Sequence, residues 1–160
     1  MISFKKIRYK NFLSTGNIPI EVELNKSSTT LIVGSNGSGK STLLDALCYA
    51  LFNKPFRIIK KDQMVNTINN GDSLVEVEFE VGTNQYMIRR GIKPNLFEIY
   101  QNDKLLNQDA SSIDYQKYLE QNIMKLNYRS FIQVVILGSS AYEPFMKMKP
   151  RYRREVVEEI

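Results

Sequence analysis

An α/β fold, in which an antiparallel β subdomain packs on a strand–loop–helix core, is predicted by three features of this sequence. A glycine-rich run at residues 34–42 separates a β-branched apolar segment from an amphipathic one. Residues 74–100 alternate apolar and polar side chains around Gly82-Thr83-Asn84, the period of a half-solvated hairpin. A length of 160 residues with 42% hydrophobic and 24% charged side chains can bury one core without disulfide or metal staples.

Taken in order, residues 2–10 bring Ile2, Phe4, Ile7 and Tyr9 into approximate alternation, which suits an antiparallel strand with one solvated face. Residues 18–24 repeat the pattern with Ile18, Ile20, Val22 and Leu24. Thr29-Thr30-Leu31-Ile32-Val33 is apolar and β-branched, and is expected to form a strand buried on both faces. The glycines end it, and residues 41–52 read as a helix with Leu43, Leu44, Leu47, Ala50 and Leu51 at spacings of three and four. Turn formers crowd residues 53–73, predicting an extended loop with one short helical turn. Strands follow at 74–81, 85–90 and 96–100. Residues 112–126 are expected to be helical, burying Ile113, Tyr115, Tyr118, Leu119, Ile123 and Leu126, and the short apolar run 131–137 to be a buried strand. A charged helix starts at Pro150 and stops in mid-pattern without a cap, so the chain is expected to be the front segment of something longer.

Several chemistries are excluded within these residues. There is no histidine, which removes His-based triads and HExxH zinc sites. The lone Cys48 permits no internal disulfide, and its inward helical position suits a small core residue. No signal sequence and no apolar run of membrane-spanning length is found, so a cytoplasmic location without a membrane partner is expected. Of the net charge of +5, the excess is N-terminal: residues 1–65 carry 10 basic and 4 acidic side chains. Such a balance suits a polyphosphate or nucleic-acid partner, and equally a solvated surface.

The run Gly34-Ser35-Asn36-Gly37-Ser38-Gly39-Lys40-Ser41-Thr42 satisfies G-x-x-x-x-G-K-[ST]. Its glycines let the backbone approach a ligand and turn successive N–H groups toward one anion. The helix that opens near Lys40 adds its positive end, Lys40 can bridge the outer phosphates of a nucleotide, and the Ser41 hydroxyl can ligate Mg²⁺. Position between a predicted strand and a predicted helix is the context that separates this motif from a chance glycine turn.

This loop has the ABC-type form, and together with Lys10-Asn11-Phe12-Leu13-Ser14, the helix at 43–52 and the tail at 145–155 it resembles the SMC-like DNA-repair ATPases of the SbcC and Rad/Mre-complex type. The resemblance covers essentially all 160 residues. It implies a P-loop NTPase fold of ABC/SMC type, with residues 1–150 as the N-terminal lobe of an ATPase head and 151–160 as the start of a coiled-coil helix. It implies ATP and Mg as cofactors, with Asn36, Gly37, Ser38, Gly39, Lys40, Ser41, Thr42, Ser14, Lys61 and Asp62 on the nucleotide, and Lys40 as the catalytic cation. Ser41 would hold Mg. Ser139 falls where the family carries a Mg-contacting glutamine, with Gln133, six residues earlier, as the alternative. The implied partners are the C-terminal half of the same head, a second head in a homodimer, a nuclease subunit and DNA. The implied function is ATP-driven head dimerisation that regulates a nuclease on DNA ends in double-strand-break repair and recombination. The chain alone is expected to be inactive, because the family's catalytic carboxylate lies in the other half. The alternatives are a transporter-type ABC ATPase subunit and a non-catalytic DNA-binding architectural module.

Other basic residues admit two readings each. Arg57, Lys60 and Lys61 are either solvated loop charges or flank the nucleotide. Arg89-Arg90 either meet DNA phosphates or pair with Glu76, Glu78 or Glu80 across the hairpin. Lys147, Lys149, Arg151, Arg153 and Arg154 are read first as a coiled-coil root, with nuclease docking or DNA contact as alternatives.

Overall fold

The computed structural model describes residues 1–106, 111–136 and 144–159. Six strands, β1 (Ile2–Lys10), β2 (Ile20–Glu23), β3 (Ser73–Val81), β4 (Asn84–Ile92), β5 (Leu96–Gln101) and β6 (Lys104–Leu105), form one sheet in the order β2-β1-β3-β4-β5-β6. Every pair of neighbours is antiparallel. The alternation in sequence sets the two faces. In register, Ile7, Val77, Ile88 and Ile99 form a fully buried row across four strands. One residue along, Arg8, Glu76, Arg89 and Glu98 form a row of alternating charge on the opposite face. Arg89 ties that row together, bonding Glu76 at 2.7 Å and Glu98 at 2.9 Å. The cross-strand reading of Arg89 therefore holds, while Arg90 points to the other side and is buried.

Helix α1 (Lys40–Phe52) lies on the apolar face, with Ala46, Cys48, Tyr49, Ala50 and Leu51 almost wholly buried. Phe12 stacks on Tyr49 at 5.6 Å between ring centroids. A short turn of 3₁₀ helix (Lys61–Met64) supplies the predicted helical turn of the long loop. Helices α2 (Ser112–Tyr118), α3 (Tyr128–Val134) and α4 (Pro150–Glu159) complete the described structure.

Three expectations are corrected. Residues 29–33 form no strand: they join no ladder among the described residues, and Leu31 and Val33 are 84% and 77% exposed. A run built for burial on both faces needs strands on both sides, and the sheet uses others. Residues 131–136, the described part of the run expected to be a buried strand, are not a strand. Asn127 caps α3, its side chain accepting from the Ser130 N–H at 3.0 Å, and Phe131 enters the core against Phe52 and Phe4 from a helix. Helix 112–126 is broken: α2 passes into a π-helical turn (Leu119–Met124), and Tyr115, Leu119 and Ile123 are buried while Ile113 and Tyr118 are exposed.

Candidate nucleotide-binding site

The N-terminus of α1 opens directly from the glycine loop. Gly37 and Gly39 take φ of 85° and 89°, a region that side-chain-bearing residues rarely enter, and Gly39 is the N-cap of α1. Gly39 offers no side chain to cap the first N–H groups of the helix, and of these the Thr42 N–H is taken by the Gly39 carbonyl at 3.0 Å. Gly34 has a different constraint: a Cβ there would lie 2.6 Å from Ser38 Oγ. The ammonium of Lys40 folds back over the loop and donates to the carbonyl oxygens of Gly34 and Ser35, both at 2.7 Å. Ser41 is exposed at the mouth, while Thr42 is buried beneath it.

The resulting cleft, about 350 Å³, is lined by Leu13, Ser14, Arg57 and the loop residues Asn36, Gly37, Gly39, Lys40, Ser41 and Thr42. Ser14 reaches it on a tight turn. Phe12 N–H donates to Thr15 Oγ1 at 3.0 Å, and Asn66 Nδ2 donates to Thr15 O at 3.0 Å. Asn69 Nδ2 donates to Asn11 Oδ1 at 2.7 Å, so the asparagines of the 66–70 loop brace this turn from behind. Residues 11–17 are thereby fixed beside the loop, and a methyl group on Gly39 would sit 3.9 Å from Ser14 Oγ.

Arg57 is held by a partner that the sequence reading did not single out. Asp45, wholly buried on α1, accepts from the Arg57 backbone N–H at 2.9 Å and from Arg57 Nε at 2.7 Å, with Nη2 2.5 Å away. A buried carboxylate on an otherwise apolar helix face requires a cation. Asp45, five residues after Lys40, was the available signal. Lys61 lies on the wall of a second cleft, beyond the far end of α1, and Asp62 belongs to the 3₁₀ turn. Gln133 is half-buried in α3. Ser139 lies outside the described residues.

The loop fits a polyphosphate: a cradle of backbone donors at a helix N-terminus, left-handed glycines and two cations on one small cleft. Among the described residues there is no group of three or more His, Cys, Asp or Glu side chains placed to hold a metal ion. Ser41 is the hydroxyl at the mouth that could contact one.

A family model described as an AAA domain matches residues 6–160. The chain belongs to the AAA domain family. This AAA-domain chain is 45% identical, over its whole length, to exonuclease subunit 2 of Enterobacteria phage T4 and of Escherichia phage RB69. It is 29% identical over 98% of its length to the DNA double-strand break repair Rad50 ATPase of Thermoplasma volcanium. It spans 29% of the length of the phage subunits and 17% of that Rad50 ATPase. Among solved structures, the Smc head domain of Pyrococcus furiosus bound to the C-terminal domain of ScpA superposes with a TM-score of 0.71 at 20% identity, covering 99% of this chain and 42% of that one. A structure described under ATP-driven dimerisation of SMC ATPases superposes at 0.65 and 21%, covering 98% of each chain. The AAA-domain chain thus has the P-loop NTPase fold of SMC-type heads, and its likeness to SMC-like repair ATPases is borne out. Among the described residues no helix is long and apolar enough to cross a membrane.

Proposed function

We propose that this AAA-domain chain is the ATP-binding half of the ATPase head of a DNA double-strand-break repair and recombination exonuclease complex. The observation that carries the reading is the convergence of the 34–42 loop, Ser14 and Arg57 on one cleft at the N-terminus of α1. The 45% identity to phage exonuclease subunits and the likeness to a Rad50 ATPase support the choice of complex.

In this reading the N–H groups of Asn36, Gly37 and Gly39 hold the inner phosphates, joined by that of Ser38 once it leaves the Ser35 carbonyl, and Lys40 leaves the Gly34 and Ser35 carbonyls for the outer ones. Bound Mg²⁺ would neutralise the phosphates, with Ser41 as this chain's ligand and Ser139 or Gln133 supplying a second contact. Thr42 and Ser14 complete the nucleotide-facing set, whereas Lys61 lines the other cleft and Asp62 lines neither. Residues 1–150 form the lobe and 151–160 begin the coiled coil. The exposed residues 29–33 await strands from the C-terminal half of the same head. Two heads closing on ATP would then regulate a nuclease subunit on DNA.

Binding of ATP to the full-length protein, measured by titration calorimetry, tests the site. Lys40→Ala removes a charge-assisted phosphate contact worth about 1.5–3 kcal/mol and is expected to weaken binding about 10- to 150-fold. Unchanged affinity would overturn the loop assignment. The 160-residue chain alone is expected to hydrolyse ATP negligibly, and turnover equal to that of the full-length protein would overturn the division of the head.

A further inference from the structure

A second cleft, about 660 Å³, opens beside the C-terminal end of α1, between β4, β5 and α2. It lies about 15 Å along the helix from Lys40, since ten residues separate Lys40 from Ala50. Its centre is Arg90, only 4% exposed. Arg90 Nε donates to Ala50 O at 2.9 Å and Nη2 to Gln116 Oε1 at 2.6 Å. Its guanidinium carbon stands 3.7 Å from the ring centroid of Phe97. Nη1 donates to no described residue. The nearest acidic influence is Glu120, which takes its hydrogen bond from Gln116 at 2.6 Å. Burial draws the guanidinium down to about 10, so it is still a cation at neutral pH.

Capping the last carbonyls of α1 accounts for part of this arrangement: Arg90 serves Ala50 O, and Gln116 Nε2 serves Leu51 O at 2.9 Å. It does not account for Nη1, nor for the rim. Lys54, Lys61 and Lys117 line the same cleft and form no ion pair among the described residues, leaving four cations around one carboxylate. The walls are aromatic, from Phe52, Phe97, Tyr115 and Tyr128. A desolvated guanidinium with donor capacity to spare, in an aromatic cleft of small-molecule size, is a recognition site for a planar anion.

We propose that this cleft binds a small organic anion with a planar apolar body, its acidic head on Arg90 and the lysine rim, its body against the aromatic walls. The site is independent of the phosphate loop and does not rest on the ATPase reading.

The probe is phenyl phosphate, titrated calorimetrically into full-length protein carrying Lys40→Ala, which weakens any competing contact at the loop. Saturable binding with a Kd near 1 mM or tighter is expected, on the order of what a ligand of this size can reach. Inorganic phosphate should bind at least tenfold more weakly. Arg90→Lys, which keeps the charge but loses the planar fork, should weaken phenyl phosphate at least tenfold. Because Arg90 also caps α1, the exposed double variant Lys54→Glu with Lys117→Glu supplies the second test: at an unchanged circular dichroism spectrum it should weaken binding at least tenfold. Absence of saturable binding, equal affinity for inorganic phosphate, or full affinity in the lysine double variant would overturn the proposal.

Discussion

Gly39 and Gly16 differ in what an added methyl group would do, although both have room for one. At Gly39, with φ of 89°, the left-handed backbone is strained for any L side chain, so Gly39→Ala is expected to cost about 1–2 kcal/mol and to weaken nucleotide binding with it. Gly16 has no such constraint, and Gly16→Ala is expected to be neutral or stabilising by about 0.5 kcal/mol. Urea midpoints of the two variants decide the matter, and equal losses would refute the strain argument. Arg57 carries a second prediction at this scale. Removing it leaves the wholly buried Asp45 carboxylate with only the residue 57 N–H. The Arg57 side chain is 41% exposed, so the loss should fall below that of a fully buried pair, at about 2 kcal/mol for Arg57→Ala. Chemical denaturation checks it, and a loss under about 0.5 kcal/mol would mean the pair is only decorative.

At the scale of an element, α1 makes the protein sensitive to alkali. Burial, reinforced by the Asp45 carboxylate, pushes the Cys48 thiol from 9.0 up to about 12, and burial pushes the neighbouring Tyr49 phenol from 10.0 up to about 12. Both groups lose their proton more readily in the unfolded chain, so stability present below pH 9 is lost as pH rises toward 12. Tyr49 begins to contribute only near pH 10, and Arg90, drawn down to about 10, opposes it there. Tyr9, Tyr86 and Tyr128, also raised from 10.0 by burial, act with Tyr49 chiefly above pH 10, so Cys48 leads the interval from pH 9 to 10, where its share should be about 1 kcal/mol. Denaturant midpoints at the two pH values measure it, and Cys48→Ala should flatten the slope; an equally steep slope in that variant would refute the assignment. Helix α1 was legible in the sequence because its apolar spacing and its glycine entry agree. The segment 131–137 was not, because a short β-branched run has no periodicity to separate strand from helix, and the deciding signal was the Asn127 cap upstream. The sheet was legible wherever one face is solvated, as in the charged row through Arg8, Glu76, Arg89 and Glu98.

At the scale of the whole molecule, the phosphate loop was legible because local chemistry dictates it, whereas the Asp45–Arg57 anchor and the asparagine brace behind Ser14 were not, since each joins residues brought together only by the fold. Residues 29–33 fall between these cases. Their composition is apolar and β-branched, yet they are exposed and join no strand among the described residues. Exposed apolar strands are templates for pairing, and proteins ordinarily cover them. Under the proposed reading the cover is a strand from the C-terminal half of the head, which would also stiffen the entry to the glycine loop at Gly34. Hydrogen exchange separates the possibilities. Amides at 29–33 should exchange at nearly unprotected rates in the 160-residue chain and slow by about 100-fold or more in the full-length protein, as ladder hydrogen bonds form. Fast exchange in both would leave the loop without a fixed strand behind it and would break the link between head assembly and nucleotide binding.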